Sequence, residues 1–121
     1  MEAAEKVMEK KSRPKSVVGE TLRLQTGCGK MYVTVNKDNG EVIEVFTHLG
    51  KAGSCVKAQL EALTRTITLG LKYGVPVEEY IKELEGIKCP YPTWEDGEQI
   101  LSCADAISKV IKRECRNSKS D

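Results

Sequence analysis

Cysteines are the residues of this chain best suited to chemistry, and four of the five stand where structural elements are predicted to begin or end. Cys28 lies between two glycines at a strand break, and Cys55 opens a long helix. Cys89 precedes a proline in a loop, and Cys103 follows a serine that is predicted to cap the last helix. Backbone at such ends leaves N–H groups unpaired, which suits a ligand or a reactive thiol.

Four thiolates form a soft set of donors that suits zinc or an iron–sulfur cluster. Cys55 and Cys103 are predicted at helix N-termini, where the helix dipole lowers the pKa of a thiol. The spacing is less specific, because gaps of 27, 34 and 14 residues include no local Cys-x-x-Cys pair. Three interpretations stay open from spacing alone: a joint metal site, small buried core residues, or a redox-active dithiol.

Cys115 stands apart from this group, in the last predicted helical turn beside a polar chain end. The number of cysteines is odd, so at least one of them lies outside any even set. We interpret Cys115 as a bystander thiol. The alternative is a redox thiol tethered near the C-terminus.

The composition is that of one small globular domain, with 121 residues, 40% hydrophobic and 31% charged. A net charge of +1 and an aromatic content of 5% argue against a basic nucleic-acid surface or a stacking platform for bases. The sequence shows no signal peptide and no apolar run of membrane-spanning length. We therefore expect a cytoplasmic protein, whose thiols are kept reduced rather than paired in a disulfide framework.

Hydrophobic periodicity predicts an α+β fold: a three-stranded antiparallel β-meander packed against about three helices. The Asn39-Gly40 pair predicts a tight turn between the second and third strands. Residues 1–16 are predicted to be a polar tail or connector, 17–115 the domain and 116–121 a disordered end. Residues 88–97 are predicted to be a loop. The predicted strands lie near residues 21–25, 31–36 and 41–48, and the predicted helices near 55–73, 76–85 and 102–115.

Four segments, in this order, resemble the C-terminal domain of adenosylcobalamin-dependent (class II) ribonucleotide reductases. They are residues 26–36, residues 44–46 with 50–55, residues 86–90, and residues 101–107. This domain is called TSCPD after a Thr-Ser-Cys-Pro-Asp motif. Here Ser102, Cys103 and Asp105 are kept, while Leu101 and Ala104 stand in place of the threonine and the proline. The resemblance covers residues 13–112.

The resemblance implies that Cys28, Cys55, Cys89 and Cys103 form one four-thiolate site, because similar free-standing domains carry four cysteines at the corresponding places. The site would hold zinc or an iron–sulfur cluster. Three glycines beside the cysteines would let the backbone approach such a group, and two polar residues would support the last helix. These supporting residues are Gly27, Gly29, Gly53, Ser102 and Asp105.

The implied function is that of an accessory or C-terminal module of a vitamin B12-dependent ribonucleoside-diphosphate reductase, in deoxyribonucleotide synthesis. The implied partner is the reductase catalytic subunit, and adenosylcobalamin would be used only through that parent enzyme. The chain is too short for the catalytic barrel, so it is not expected to reduce a ribonucleotide alone. The alternatives are a thiol redox shuttle for the reductase, with Cys115 as a candidate, and an interaction module without metal. Homo-oligomerisation stays open.

Overall fold

The predicted meander and the three predicted helices are present in the computed structural model, which describes residues 9–50 and 55–119. Its α+β architecture is a single small domain. The meander consists of β1 (Val18–Thr26), β2 (Gly29–Asp38) and β3 (Glu41–Leu49). The helices are α1 (Cys55–Lys72), α2 (Val77–Leu84) and α3 (Cys103–Lys119).

Two tight turns join the three strands into an antiparallel sheet of order β1-β2-β3. Thr26 pairs with Gly29 across the first turn. In the second turn, Asn39 and Gly40 have φ angles of 53° and 80°, as a two-residue hairpin turn with a left-handed backbone requires. The prediction made from the Asn-Gly pair is therefore confirmed.

Alternating side chains of β2 point to one face of the sheet, and the helices cover that face. Met31, Val33 and Val35 are fully buried there, while α1 packs mainly along β3 and α3 crosses all three strands. The short α2 packs against α3 rather than against the sheet. The helical side of the core contains Leu60, Ile67, Leu71, Ile81, Leu84, Ala106, Ile107, Val110 and Ile111.

A threonine of α1 covers the outer edge of β3. The Val45 N–H donates to Thr68 Oγ1 at 3.1 Å, and the Thr68 hydroxyl donates to the Val45 carbonyl, also at 3.1 Å. One hydroxyl thus partners both main-chain groups that an edge strand would otherwise leave unpaired. This pairing fixes the position of α1 along β3.

Two stretches differ from the sequence prediction. The predicted loop at 88–97 contains strand β4 (Thr93–Glu95), which pairs with β5 (Glu98–Ile100). Asp96 and Gly97 form the turn of this hairpin, with φ angles of 52° and 80°. The predicted disordered end at 116–121 is helical as far as Lys119, because no glycine or proline interrupts α3 there. Residues 120 and 121 lie outside the described part.

Part of the predicted connector is docked on the domain. The Lys11 N–H donates to the Lys72 carbonyl at 2.9 Å, and Arg13 forms an ion pair with Glu44. Glu44 is only 3% exposed. Burial favours its neutral form, but Arg13 and Asn36 outweigh burial and lower the pKa of Glu44.

Among the described residues, no helix has the length and apolarity that a membrane span requires.

Replacing Thr68 with valine is expected to lower the free energy of unfolding by about 1–3 kcal/mol, because two buried main-chain groups of Val45 lose their partner. Thr66→Val is the matched control, since the exposed Thr66 hydroxyl bonds only the Ala62 carbonyl of its own helix. Urea denaturation measures both effects. Equal losses in the two variants would contradict the assigned role of Thr68.

Candidate thiol site

Three of the four predicted ligand cysteines meet at one end of the sheet. Cys28 lies in the β1–β2 turn, Cys103 is the first residue of α3, and Cys89 lies in the segment between α2 and β4. Burial, together with the neighbouring thiols of Cys28 and Cys89, raises the pKa of Cys103. The helix N-terminus was expected to lower it, so that expectation is wrong, and the cause is desolvation.

Thr26 links Cys28 and Cys103. Its hydroxyl accepts a hydrogen bond from the Cys28 N–H at 3.2 Å and donates to the Gly29 carbonyl at 2.8 Å. The Cys103 thiol donates to the same oxygen at 3.5 Å. Thr26 is 2% exposed, so this bridge is shielded from water. The side chain holds the turn of Cys28 against the start of α3.

Ser102 and Asp105 hold the segment of Cys89 in place. The Gly86 N–H donates to Asp105 Oδ1 at 2.9 Å, and the Ser102 hydroxyl donates to the Ile87 carbonyl at 2.6 Å. The Cys89 N–H then donates to the Leu101 carbonyl at 3.0 Å. These bonds fasten residues 86–89 along the residues that precede α3. Ser102 and Asp105 therefore bond the segment of Cys89 as well as capping the start of α3.

The Asp105 carboxylate is fully buried yet charged. Burial on its own favours the neutral acid, but the N–H groups of Gly86 and Leu101 and the ammonium group of Lys109 outweigh it and lower the pKa of Asp105. The Asp105 N–H in turn donates to the Ser102 hydroxyl at 3.0 Å, which is the N-cap bond of α3.

The glycines near Cys28 have roles within the chain itself. A Cβ atom on Gly27 would lie 2.2 Å from the Tyr91 carbonyl oxygen, so only glycine lets this segment approach the turn. A Cβ atom on Gly29 would meet open space, but the φ angle there is +124°, so backbone conformation is what requires glycine. Gly53 lies outside the described residues.

Cys55 is placed at the same end of the sheet but is exposed. It opens α1, and the Gly50 N–H five residues earlier donates to the Lys30 carbonyl at 3.2 Å, beside the turn of Cys28. Across residues 9–50 and 55–119, no three His, Cys, Asp or Glu side chains lie at spacings that would hold a metal ion. The sulfur donors are suitable for zinc or an iron–sulfur cluster, whereas their present spacing is not.

Cys115 lies far from the three clustered thiols. It is half-buried and lines a groove shared with Lys11 and Asn39, at the opposite end of β2. It comes twelve positions after Cys103 in α3, which at a rise of 1.5 Å per position is roughly 18 Å. A disulfide needs Cα atoms within about 7 Å, so these two cysteines cannot pair while α3 is intact.

The sequence analysis gave Thr26 no role in the site. Thr26 precedes Cys28 by two residues in a two-residue turn, a position from which a threonine hydroxyl commonly bonds a turn N–H. That spacing was the available signal. Tyr91 and Trp94 are 70% and 66% exposed, and the Tyr91 N–H donates to Cys89 Sγ at 3.4 Å. An exposed aromatic surface therefore borders Cys89.

Replacing Asp105 with asparagine is expected to lower the free energy of unfolding at pH 7 by about 2–4 kcal/mol, because a buried charged acceptor of two N–H groups and Lys109 is lost. A lowered pKa gives stability that is present above the ordinary value of 3.8 and lost as the pH falls below it. The stability difference between wild type and variant should therefore shrink as the solution is acidified below that value.

Urea denaturation at several pH values measures this difference, with Asp96→Asn as the matched control. Asp96 is exposed and has a positive φ angle, which asparagine tolerates, so its stability should stay within about 0.5 kcal/mol of wild type. Burial and Glu20 raise the pKa of Glu114, so its contribution to stability changes with pH in the opposite sense. That contribution is the same in wild type and variant, and it cancels in the difference between them. A pH-independent difference for Asp105→Asn would contradict the buried charge.

Comparisons with known proteins agree with the resemblance described above. The chain is 29% identical over 118 residues to a vitamin B12-dependent ribonucleotide reductase of Streptomyces avermitilis, covering 93% of this chain and 12% of that protein. A reductase of the same name from Agrobacterium fabrum is 29% identical over 107 residues, 88% of this chain and 8% of the relative. The chain thus spans only about a tenth of the length of these relatives. No solved structure matches it.

A family model covers most of the chain. The model of the TSCPD domain matches residues 5–115, which include all three clustered cysteines, Thr26 and the Ser102–Asp105 motif. This span also includes part of the N-terminal segment that Arg13 docks against the sheet. The chain therefore belongs to the TSCPD domain family.

Proposed function

We propose that this chain acts as an accessory or C-terminal module of a vitamin B12-dependent ribonucleotide reductase. The observation that carries the proposal is the match itself: about nine tenths of this chain corresponds to a small part of each reductase. A segment of that size is a domain by itself. Adenosylcobalamin would be bound by the parent enzyme, and the working location would be the cytoplasm.

The structure supports a modular role because the domain has its own core. Among the described residues, seventeen buried hydrophobic side chains form one cluster drawn from the three-stranded sheet, β5 and all three helices. The thiol site lies at one end of the sheet, bordered by the exposed side chains of Ile87, Tyr91 and Trp94. Exposed aromatic residues are common at protein interfaces. We propose that this end faces the catalytic part of the reductase.

A chimeric enzyme tests the modular role. This chain would replace the matching segment of the Streptomyces avermitilis reductase, and ribonucleotide reduction would be measured against the intact enzyme and a truncation lacking that segment. We expect the chimera to be at least about tenfold more active than the truncation. This difference corresponds to about 1.4 kcal/mol of transition-state free energy.

The outcome that contradicts the proposal is a chimera as inactive as the truncation, or a truncation as active as the intact enzyme. A chimera carrying Tyr91→Ala and Trp94→Ala tests the proposed contact surface. Both side chains are largely exposed, so their removal should weaken activity without unfolding the domain. Circular dichroism of the isolated double variant checks the fold.

We further propose that Cys28, Cys55, Cys89 and Cys103 hold zinc or an iron–sulfur cluster. The proposal is supported by the chemistry of the donors and by their placement at one end of the sheet, where Cys28 and Cys89 lie close enough to Cys103 to raise its pKa. Bound thiolates would lose their protons and draw together. The group would supply a covalent link among the β1–β2 turn, the segment before β4 and the starts of α1 and α3.

Metal analysis of protein purified without oxygen tests this site. About one equivalent of zinc, or iron with acid-labile sulfide, is expected in the wild type. Cys55→Ala and Cys103→Ala should lose the metal and unfold at lower urea, because the group contributes folding energy. Cys115→Ala is the matched control and should retain the metal. Wild-type protein with neither zinc nor iron would contradict the proposal.

A further inference from the structure

Cys28 and Cys103 are the two thiols that the fold presents to each other most directly. Both are partly exposed, and the neighbouring Cys28 thiol raises the pKa of Cys103. Thr26 binds the Cys28 backbone at 3.2 Å and the Cys103 sulfur at 3.5 Å. One hydroxyl therefore keeps the two residues adjacent.

The other cysteines are less well placed to react with Cys103. The Cys89 thiol also raises the pKa of Cys103, but its sulfur already accepts the Tyr91 N–H at 3.4 Å. Cys115 lies roughly 18 Å along α3, and Cys55 is exposed at the start of α1. A disulfide between Cys28 and Cys103 would therefore require the smallest movement of the sulfur atoms.

The backbone around Cys28 allows that movement. The residue sits in a two-residue turn between Gly27 and Gly29, and the Gly29 φ angle is +124°. Closing a disulfide requires the sulfurs to approach to about 2.05 Å with a specific dihedral angle. The movement would be confined to the turn of Cys28, because the Ser102 cap holds Cys103 at the start of α3.

From this juxtaposition we propose that Cys28 and Cys103 form a dithiol site that reduces disulfide-bonded thiol compounds. The thiolate of one cysteine attacks a sulfur of the compound R–S–S–R, forming a mixed disulfide and releasing one R–S⁻. The second cysteine attacks the protein sulfur of that mixed disulfide and releases the second R–S⁻. The two cysteine protons pass to the leaving thiolates, giving two R–SH and one Cys28–Cys103 disulfide.

This activity goes beyond the module role, and it needs neither the reductase nor a bound metal. The two cysteines are oxidised by two electrons and the disulfide compound is reduced by the same two. Metal bound to the same sulfurs would block the reaction, so the activity belongs to the metal-free protein. The two proposals can therefore fail separately.

The experiment incubates the full chain, reduced and treated with a chelator after its metal content is measured, with oxidised glutathione. Peptide mapping by mass spectrometry then identifies every linked pair, and released glutathione is counted. We expect linked Cys28 and Cys103 peptides and two glutathione molecules released for each such link. Linkage of a different pair, or glutathione adducts that persist on Cys28 or Cys103 of the wild type, would overturn the proposal.

Variants separate the two reacting residues from their neighbours. In Cys103→Ser and Cys28→Ser the reaction should stop at a mixed disulfide with the remaining cysteine. The second glutathione then stays bound to the protein and is not released. Cys115→Ser should react within about twofold of wild type, because its sulfur lies roughly 18 Å from Cys103 along α3. A more than tenfold loss in Cys115→Ser would assign the reaction to that thiol and overturn the Cys28–Cys103 pair. Wild-type mapping answers the question even if a variant fails to fold.

Discussion

The buried carboxylate of Asp105 is the interaction on which the thiol site depends. Removing a carboxylate from water costs several kcal/mol unless charged or N–H partners replace the solvent. Here the partners come from the end of α2, from the residue after β5 and from α3 itself, through Gly86, Leu101 and Lys109. The carboxylate is stable in the interior only when those three segments meet, so its charge enforces their arrangement.

This arrangement gives the motif Ser102-Cys103-Ala104-Asp105 a physical explanation. Ser102 caps α3 and also bonds the Ile87 carbonyl, while Asp105 anchors Gly86. The cysteine between them is thereby held at the first position of the helix, facing Thr26. Ala104 lies in the first turn, where an N–H group has no intrahelical acceptor, so alanine and proline both fit that position.

Burial decides the chemical character of the Cys103 thiol. A helix N-terminus favours a thiolate, yet the pKa of Cys103 is raised, because desolvation and two neighbouring thiols outweigh the hydrogen bond with Thr26. A protonated thiol that donates to Thr26 is the resting state of such a site. Binding of a metal or reaction with a disulfide would replace those protons, so the same geometry supports both proposed roles.

The sequence by itself determined the meander, the three helices and the placement of four cysteines at element ends, because these follow from local periodicity and turn chemistry. The Asn39-Gly40 turn and the Ser102 cap are local signals of this kind. The β4–β5 hairpin was missed, since strands of three residues carry too little periodicity to be recognised.

Only the tertiary structure decided which cysteines meet and in which direction the pKa of Cys103 shifts. Cys28 and Cys103 are 75 residues apart in the sequence, and the contact through Thr26 depends on how α3 crosses the sheet. The raised pKa of Cys103 depends on burial, which no spacing of residues encodes. The separation of Cys115 follows from the unbroken length of α3, which places that thiol at the other end of the domain.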